Sequence, residues 1–556
     1  MFGAGGGTSS YLEVEDTDLI ILWGSNARET HPIFFHHVLK GIHHGARLMV
    51  VDPRRTPSAE WADTWLGLNV GTDIALANAV GREIVHAGLA NEEFIRRATS
   101  DFESYLAAVE PWTLERAEME TGVPAEVIRE VAHAYARADR AILCWTLGIT
   151  EHHNAVDNVL ALINLALLTG HVGRYGSGLN PLRGQNNVQG GGDMGAIPNR
   201  LPGFQDLKDD EARGRFEQAW GCPIQPAYGR HVTAQLEAID RGEQHGLYVI
   251  GENPLQSEAD LHHTEQVLRS LDCLIVQDIF LTKTAELADV VLPSTAGWCE
   301  SEGTVTNSER RVQRVRKALE PPEGARDDME IVGELARRLG HEWGHPTAEE
   351  VWAECRSLAP HMFAGMTYPR LDELGGIQWP CPSEDHPGSL FLHGRLWEEP
   401  VGGRRAPFHA TVHEPPVDEL SEEFPIRLTT GRRLESFNTG VQSGGYRSPL
   451  RDRGEAAVHV APEDAARLGL ADGAQARATS RRGSIEVPVA VDDGLRPGLA
   501  FLSLHFPDDV ATNILTIDAT DPKSGTAEFK ASAIRLEPLA VAAGRGAGGP
   551  SPVGGE

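Results

Sequence analysis

Asp18-Leu19-Ile20-Ile21-Leu22-Trp23-Gly24, then a helical stretch over residues 32–44, then Arg47-Leu48-Met49-Val50-Val51-Asp52, decide the fold of this chain. Each apolar run lacks alternation, as a strand does when both its faces are covered, and a helix between two such strands makes a βαβ unit. The arrangement returns in Gly246-Leu247-Tyr248-Val249-Ile250-Gly251, a helix over 259–270, Cys273-Leu274-Ile275-Val276-Gln277-Asp278 and Asp289-Val290-Val291-Leu292-Pro293. The fold class is therefore α/β, with two doubly wound, Rossmann-like domains over residues 1–185 and 186–300. Further helices are expected over 124–138 and 156–170. Residues 301–420, rich in Pro, Gly and charge with short helical patches, read as irregular cover and linker. Short alternating runs such as Ile426-Arg427-Leu428-Thr429 and residues 484–491 predict a small β-barrel over 421–540. The Gly-rich stretch 541–556 reads as a disordered tail.

Composition narrows the function. The 556 residues are 41% hydrophobic, enough for several cores. Lys and Arg number 50 against 80 Asp and Glu, a net charge of -30, so the summed field repels nucleic acid and anionic lipid. A small anionic substrate would be repelled as well, and needs Arg or Lys gathered in its own pocket. No segment approaches the roughly 20 apolar residues that cross a bilayer. Residues 1–7 carry neither the basic start nor the apolar run of a secretory signal, so no membrane insertion and a cytoplasmic location are expected. The six cysteines, at 144, 222, 273, 299, 355 and 381, form no Cys-x-x-Cys pair, against both a disulfide framework and a self-contained iron-sulfur site.

Ligands of open parallel sheets bind beyond the carboxyl ends of the strands. Gly24-Ser25-Asn26-Ala27-Arg28-Glu29-Thr30-His31-Pro32 occupies that position after the first strand, where glycine admits close approach and a helix start offers N–H groups to a pyrophosphate. A polar turn with an ordinary cap fits the same residues. Asp52-Pro53-Arg54-Arg55 ends the second strand, and Gly71-Thr72-Asp73 follows. Asp52 and Asp73 together suit guanine or ribose, although each alone also suits a strand-end salt bridge or a cap. Residues 180–195, Asn180-Pro181-Leu182-Arg183-Gly184-Gln185-Asn186-Asn187-Val188-Gln189-Gly190-Gly191-Gly192-Asp193-Met194-Gly195, mix amides, glycines and one guanidinium, as a loop facing a polyanion would. Arg183 is the cation the charge balance calls for, because its planar fork holds a carboxylate by two bonds. The pairs His36-His37, His43-His44, His152-His153 and His262-His263 lack the Cys or acid spacing of a zinc site, and the Gly3–Gly7 run lacks the flanking strand and helix of a dinucleotide fingerprint.

With segments 26–32, 52–55, 169–173, 180–189, 251–256, 277–280, 288–293, 302–304 and 429–432, the chain resembles the catalytic subunit of formate dehydrogenase in the molybdopterin oxidoreductase (dimethyl sulfoxide reductase) family. The likeness runs from about residue 3 to residue 538, and His505-Phe506-Pro507, Asn513 and Glu528-Phe529-Lys530 look specific to formate dehydrogenases within it. It implies a double-psi type barrel and two molybdopterin guanine dinucleotides holding molybdenum or tungsten between the α/β halves. By similarity, Gly24, Asn26, Asp52, Arg54, Gly71 and Asp73 would hold one nucleotide. Gly251, Glu252, Asn253, Gln277 and Asp278 would hold the other, joined from the barrel by Thr430, Gly431, Arg432, Asn513, Phe529 and Lys530. Arg183 and Gln185 match the loop that reaches the metal, with Arg183 orienting formate. The implied reaction gives carbon dioxide and two electrons for an iron-sulfur or diaphorase partner subunit. The resemblance also implies four cysteines for a [4Fe-4S] cluster and a metal-ligating cysteine or selenocysteine ahead of the first strand, and none is among these residues. A misassigned start or a split gene is expected in preference to a decayed remnant. A non-catalytic, cofactor-holding subunit and a related molybdopterin reductase are the alternative readings.

Overall fold

The computed structural model describes residues 1–434, 436, 438–442, 456–506, 508 and 510–539, so the expected tail 541–556 and Pro507 lie outside the described residues. Strands β1 (Leu19–Trp23), β2 (Arg47–Val51), β3 (Thr64–Leu66), β4 (Ala141–Trp145) and β5 (Gly178–Pro181) form one parallel sheet in the order β3-β2-β1-β4-β5. All five residues of β1 are buried, and they divide by parity. Ile20 and Leu22 pack with Leu48, Val50, Phe34 and Phe35 on one face. Leu19, Ile21 and Trp23 face the helices Asp73–His86 and Ala155–Thr169 on the other. Helices on both faces explain why the run shows no alternation.

The second sheet is smaller. Strands β6 (Gly246–Ile250), β7 (Cys273–Asp278) and β8 (Val290–Pro293) are parallel in the order β8-β7-β6, around a core of Val249, Leu274, Val276 and Ala285. Among the described residues its outer strand β8 pairs with β7, its end is met by Arg326, whose N–H donates to Pro293 O at 3.2 Å, and Val290 and Val291 are exposed.

Residues 301–420, expected to be irregular with short helical patches, carry helices that include Asp328–Arg338, Ala348–Leu358 and Tyr368–Leu374 and, beyond that expectation, an antiparallel sheet of β9 (Gly303–Thr306), β10 (Arg311–Val315) and β11 (Ile377–Gln378). Trp352, Phe363, Met366 and Trp379 make its core. The large side chains are few and widely spaced in sequence, which hides the periodicity. Beside this core the fully buried Arg310 donates to the carbonyls of Gly7 (2.7 Å), Ser389 (2.9 Å) and Leu390 (2.7 Å), tying the first residues to this layer.

The last layer is a closed barrel of β12 (Ile426–Gly431), β13 (Val458–Val460), β14 (Gln475–Thr479), β15 (Ser484–Val491), β16 (Leu499–Ser503) and β17 (Ser532–Pro538), ordered β12-β16-β13-β15-β14-β17. Closure removes the edges that short alternating strands would otherwise expose. Among the described residues no helix is long and apolar enough to cross a membrane.

Candidate functional site

The two α/β halves end in the same arrangement of atoms. Gly24 stands at φ 58° just beyond β1, and its N–H donates to Val51 O at 2.7 Å. Gly251 stands at φ 65° just beyond β6 and donates to Gln277 O at 2.8 Å. Left-handed backbone is strained for any side chain but open to glycine. Two residues on, Asn26 precedes the helix Ala27–Thr30 and Asn253 precedes Pro254–Ser257. Asn26 Oδ1 accepts from Ser58 N (3.3 Å) and Oγ (3.0 Å), while its amide donates to Glu29 at 2.6 Å. Asn253 Oδ1 accepts from Thr284 N (3.2 Å) and Oγ1 (2.7 Å), while its amide donates to Gln256. Ser58 and Thr284 follow Asp52 and Asp278 at the same spacing. At the far ends of the strands, Leu48 N donates to Asp63 Oδ2 (2.8 Å) and Leu274 N to Asp289 Oδ2 (2.7 Å).

A cavity of about 320 Å3 opens beyond the carboxyl ends of the first sheet, between it and the barrel. Gly24, Asn26, Asp52, Arg54, Gly71 and Asp73 all line it, and Gln185 joins them from the 180–195 loop. Trp23 Nε1 donates to Asp73 Oδ1 at 2.8 Å and Arg54 N to Asp52 Oδ1 at 2.9 Å. Burial pushes both carboxyls above their ordinary range. The Arg54 guanidinium lies 3.6 Å over the Phe501 ring and makes no hydrogen bond to another described residue. Its charge faces those of Asp52, Glu29 and Asp492.

The resemblance grouped the barrel residues with the second nucleotide; the geometry divides them. Thr430, Gly431, Arg432 and Lys530 line the cavity of the first half, because the end of β12 and the 528–530 turn face the first sheet. Phe529 lies on the same side without lining the cavity: its N–H donates to Glu151 O at 3.2 Å and its carbonyl accepts from Thr430 Oγ1 at 2.8 Å. Asn513 stands at the second half, where its amide donates to Gln256 O and Ser257 O, both at 3.2 Å. Glu151 was not singled out in sequence, His152 was weighed only as one of a histidine pair and Glu528 only within the 528–530 segment of the resemblance, yet all three anchor the junction. Glu151 pairs with Arg432 (3.2 Å) and Lys530 (2.9 Å), and Glu528 accepts from His152 Nδ1 (3.2 Å) and His153 N (3.0 Å). The sequence signal was the carboxylate-imidazole run Glu151-His152-His153 next to a helix start, which a search for metal spacing passes over. Burial opposes a charge on His152, but the Glu528 carboxylate outweighs it and holds the imidazole above its usual range.

Gly251, Glu252, Asn253, Gln277 and Asp278 come together at the tip of the second sheet, outside that cavity. This tip is acidic. Gln277 Nε2 donates to Asp328 Oδ1 at 2.5 Å, and burial, with Glu252 beside it, pushes the Glu258 carboxyl up to about 7.

Residues 180–195 are not an unstructured loop, since Val188–Asp193 is a short helix entered through Asn187 at φ 66°. Its glycines, weak helix formers, hid it. Arg183 does not line the cavity. Its guanidinium donates to Gly5 O (2.9 Å) and Gln189 Oε1 (3.1 Å), and its carbonyl meets His31 Nε2 at 2.7 Å. Gly3–Gly7, set aside as a fingerprint, thus supplies the backbone that Arg183 and Arg310 hold. Among the described residues no three His, Cys, Asp or Glu side chains converge to hold a metal ion.

Residues 3–338 match the family model Molybdopterin oxidoreductase, and residues 426–533 match Molydopterin dinucleotide binding domain. The chain is 40% identical over 544 residues to F420-dependent formate dehydrogenase 2 subunit alpha of Methanococcus maripaludis, covering 97% of this chain and 79% of that one. It is 38% identical over 544 residues to formate dehydrogenase H of Escherichia coli, covering 97% and 75%. Acetylene hydratase from Pelobacter acetylenicus superposes with a TM-score of 0.73 at 20% identity, over 96% of this chain and 79% of that one, a likeness of fold. The repeated sheet tips, the cation-lined cavity beneath a closed barrel, and these matches identify an oxidoreductase closely related to formate dehydrogenase alpha subunits: the chain belongs to the molybdopterin oxidoreductase family.

Proposed function

We propose that this chain is the catalytic body of a formate-oxidising enzyme that carries two guanine dinucleotide pterins, one against each sheet tip. The observation that carries the reading is Arg54, held against Phe501 with no hydrogen bond to the described chain, beside Lys530 and Arg432, in a protein of net charge -30. Such a cluster supplies the local positive field that phosphates require. Asp52 and Asp73 in the first half, and Glu252 and Asp278 in the second, offer carboxylates to ribose hydroxyls or guanine N–H donors. The residues of the first tip fit a guanine dinucleotide; the acidic second tip suits the base better than the phosphates.

When bound, the molybdenum or tungsten pterin supplies the two-electron acceptor. Arg183 binds and orients the formate carboxylate, and Gln185, at the cavity rim, adds an amide donor. Oriented formate yields carbon dioxide, one proton and two electrons. Arg183 rests against Gly5, so its charge is directed at the first residues of the chain, the side on which the resemblance sets the metal ligand. The resemblance implies an iron-sulfur or diaphorase partner subunit as the route by which the electrons leave.

Metal and pterin analysis with formate-dependent dye reduction tests the reading. Arg183→Ala is expected to lower kcat/KM for formate by about a hundredfold, the loss of a charged bidentate contact, with metal content unchanged. Metal lost in parallel with turnover would assign Arg183 to holding the cofactor instead.

A further inference from the structure

We propose that Asp193 and Gln189 are positioning residues that set the guanidinium of Arg183 through a relay anchored on Trp379, so that formate affinity depends on the charge of a carboxylate that never touches formate. The inference rests on Arg183 being the group that orients formate.

The relay follows from counting donors and acceptors. Asp193 is 1% exposed, and each of its oxygens serves one donor: Oδ1 accepts from Gln189 Nε2 at 2.8 Å and Oδ2 from Trp379 Nε1 at 2.7 Å. Gln189 Nε2 also donates to Gly5 O at 3.1 Å. With both amide hydrogens committed, Gln189 has one orientation, and its Oε1 must face Arg183 Nε, 3.1 Å away. Arg183 is thereby fixed at two points, Gln189 Oε1 and Gly5 O.

A neutral group at 193 breaks this. An amide there has one acceptor for two donors, and its own NH2 needs an acceptor. Gln189 meets it by turning over, which sets its NH2 against the N–H of Arg183 and releases the guanidinium. Protonating Asp193 does the same, because a carboxylic acid gives up an acceptor for a donor. The charged and titratable groups facing Asp193 are Arg183, Arg310 and Cys355. Both arginines favour the carboxylate, but Arg310 is committed to backbone carbonyls, and burial is the larger effect, raising the Asp193 carboxyl to about 6.

Two measurements test it. Tryptophan emission of the purified protein, taken as wild type minus Trp379→Phe, should titrate with a midpoint near 6, and Asp193→Asn should abolish that titration. In the cofactor-loaded enzyme, Asp193→Asn and Gln189→Met should each raise the formate KM about tenfold near pH 7.5 with kcat within about threefold, and wild-type KM should climb below pH ~6 while that of Asp193→Asn stays flat. A pH-independent Trp379 signal, or unchanged KM in both variants, overturns the relay. Arg183→Ala, run beside them, separates the two ideas. If it leaves kcat/KM unaltered, the role given to Arg183 is wrong; if it lowers kcat/KM while Gln189→Met and Asp193→Asn leave the formate KM unchanged, only the relay is wrong. Should Asp193→Asn fail to fold, Gln189→Met decides, since it deletes the link without touching the buried charge.

Discussion

Asn26 and Asn253 perform one task at two places. Each carbonyl oxygen takes two donors from the far side of a sheet tip and each amide hydrogen-bonds the first turn of the following helix, so neither can be replaced without leaving buried N–H and O–H groups unsatisfied. Asn26→Ala and Asn253→Ala should each cost about 1–3 kcal/mol in urea unfolding, and because they share no partner the double variant should be close to additive. Additivity failing by more than about 0.5 kcal/mol would show the tips to be coupled. Asn26 was legible in the sequence because it lies next to a strand end. Its partner Ser58 was not, because a serine in a turn carries no pattern and the bond spans two elements. Gln189 and Asp193 carried no signal for the same reason: what matters is which donors the Gln189 amide and the Asp193 carboxylate meet in the fold.

The strand-to-helix turns show how far elements could be predicted. Uninterrupted apolar runs gave β1, β2, β6, β7 and β8 their places; in β1 and β2 the run reflects burial on two faces, whereas β8 and most of β6 carry theirs while exposed or half-buried. The antiparallel sheet at 303–378 and the helix Val188–Asp193 were not seen, the first because its core draws on distant aromatics and the second because glycine argues locally against a helix. Within the turns, Gly24 and Gly251 differ in surroundings. A Cβ on Gly24 would stand 2.9 Å from the carbonyl carbon of Gly148, whereas one on Gly251 would meet nothing within 4 Å. Gly251→Ala should therefore cost about 1–2 kcal/mol for its backbone angle alone, and Gly24→Ala measurably more, by thermal unfolding. Equal costs would mean that the Gly148 backbone yields.

At the scale of the molecule, barrel and first half are joined through buried charge. Glu528, fully buried, is held well below the usual carboxylate range because the interactions with His152 and His153 outweigh burial, and His152 is held above its own. A depressed carboxyl contributes stability above its unfolded value of about 4.3 and loses it as pH falls; a raised imidazole contributes fully below about 6.5 and loses it as pH rises through the folded value. The junction should accordingly be tightest between those limits. Thermal midpoints of the wild type across about pH 4 to about pH 9 should decline on both flanks, and Glu528→Gln should lower the plateau by about 3–5 kcal/mol and flatten it. A profile of unchanged shape in Glu528→Gln would show that the dependence arises elsewhere. None of this could be read from sequence, since Glu528 and His152 lie far apart along the chain.

The outer strand β8 has a practical side. Val290 and Val291 set exposed aliphatic carbon on an edge strand, the kind of surface that templates pairing with another strand. If molecules of this polypeptide pair at high concentration, that rim is where they are expected to meet, and a lysine set there would keep them apart.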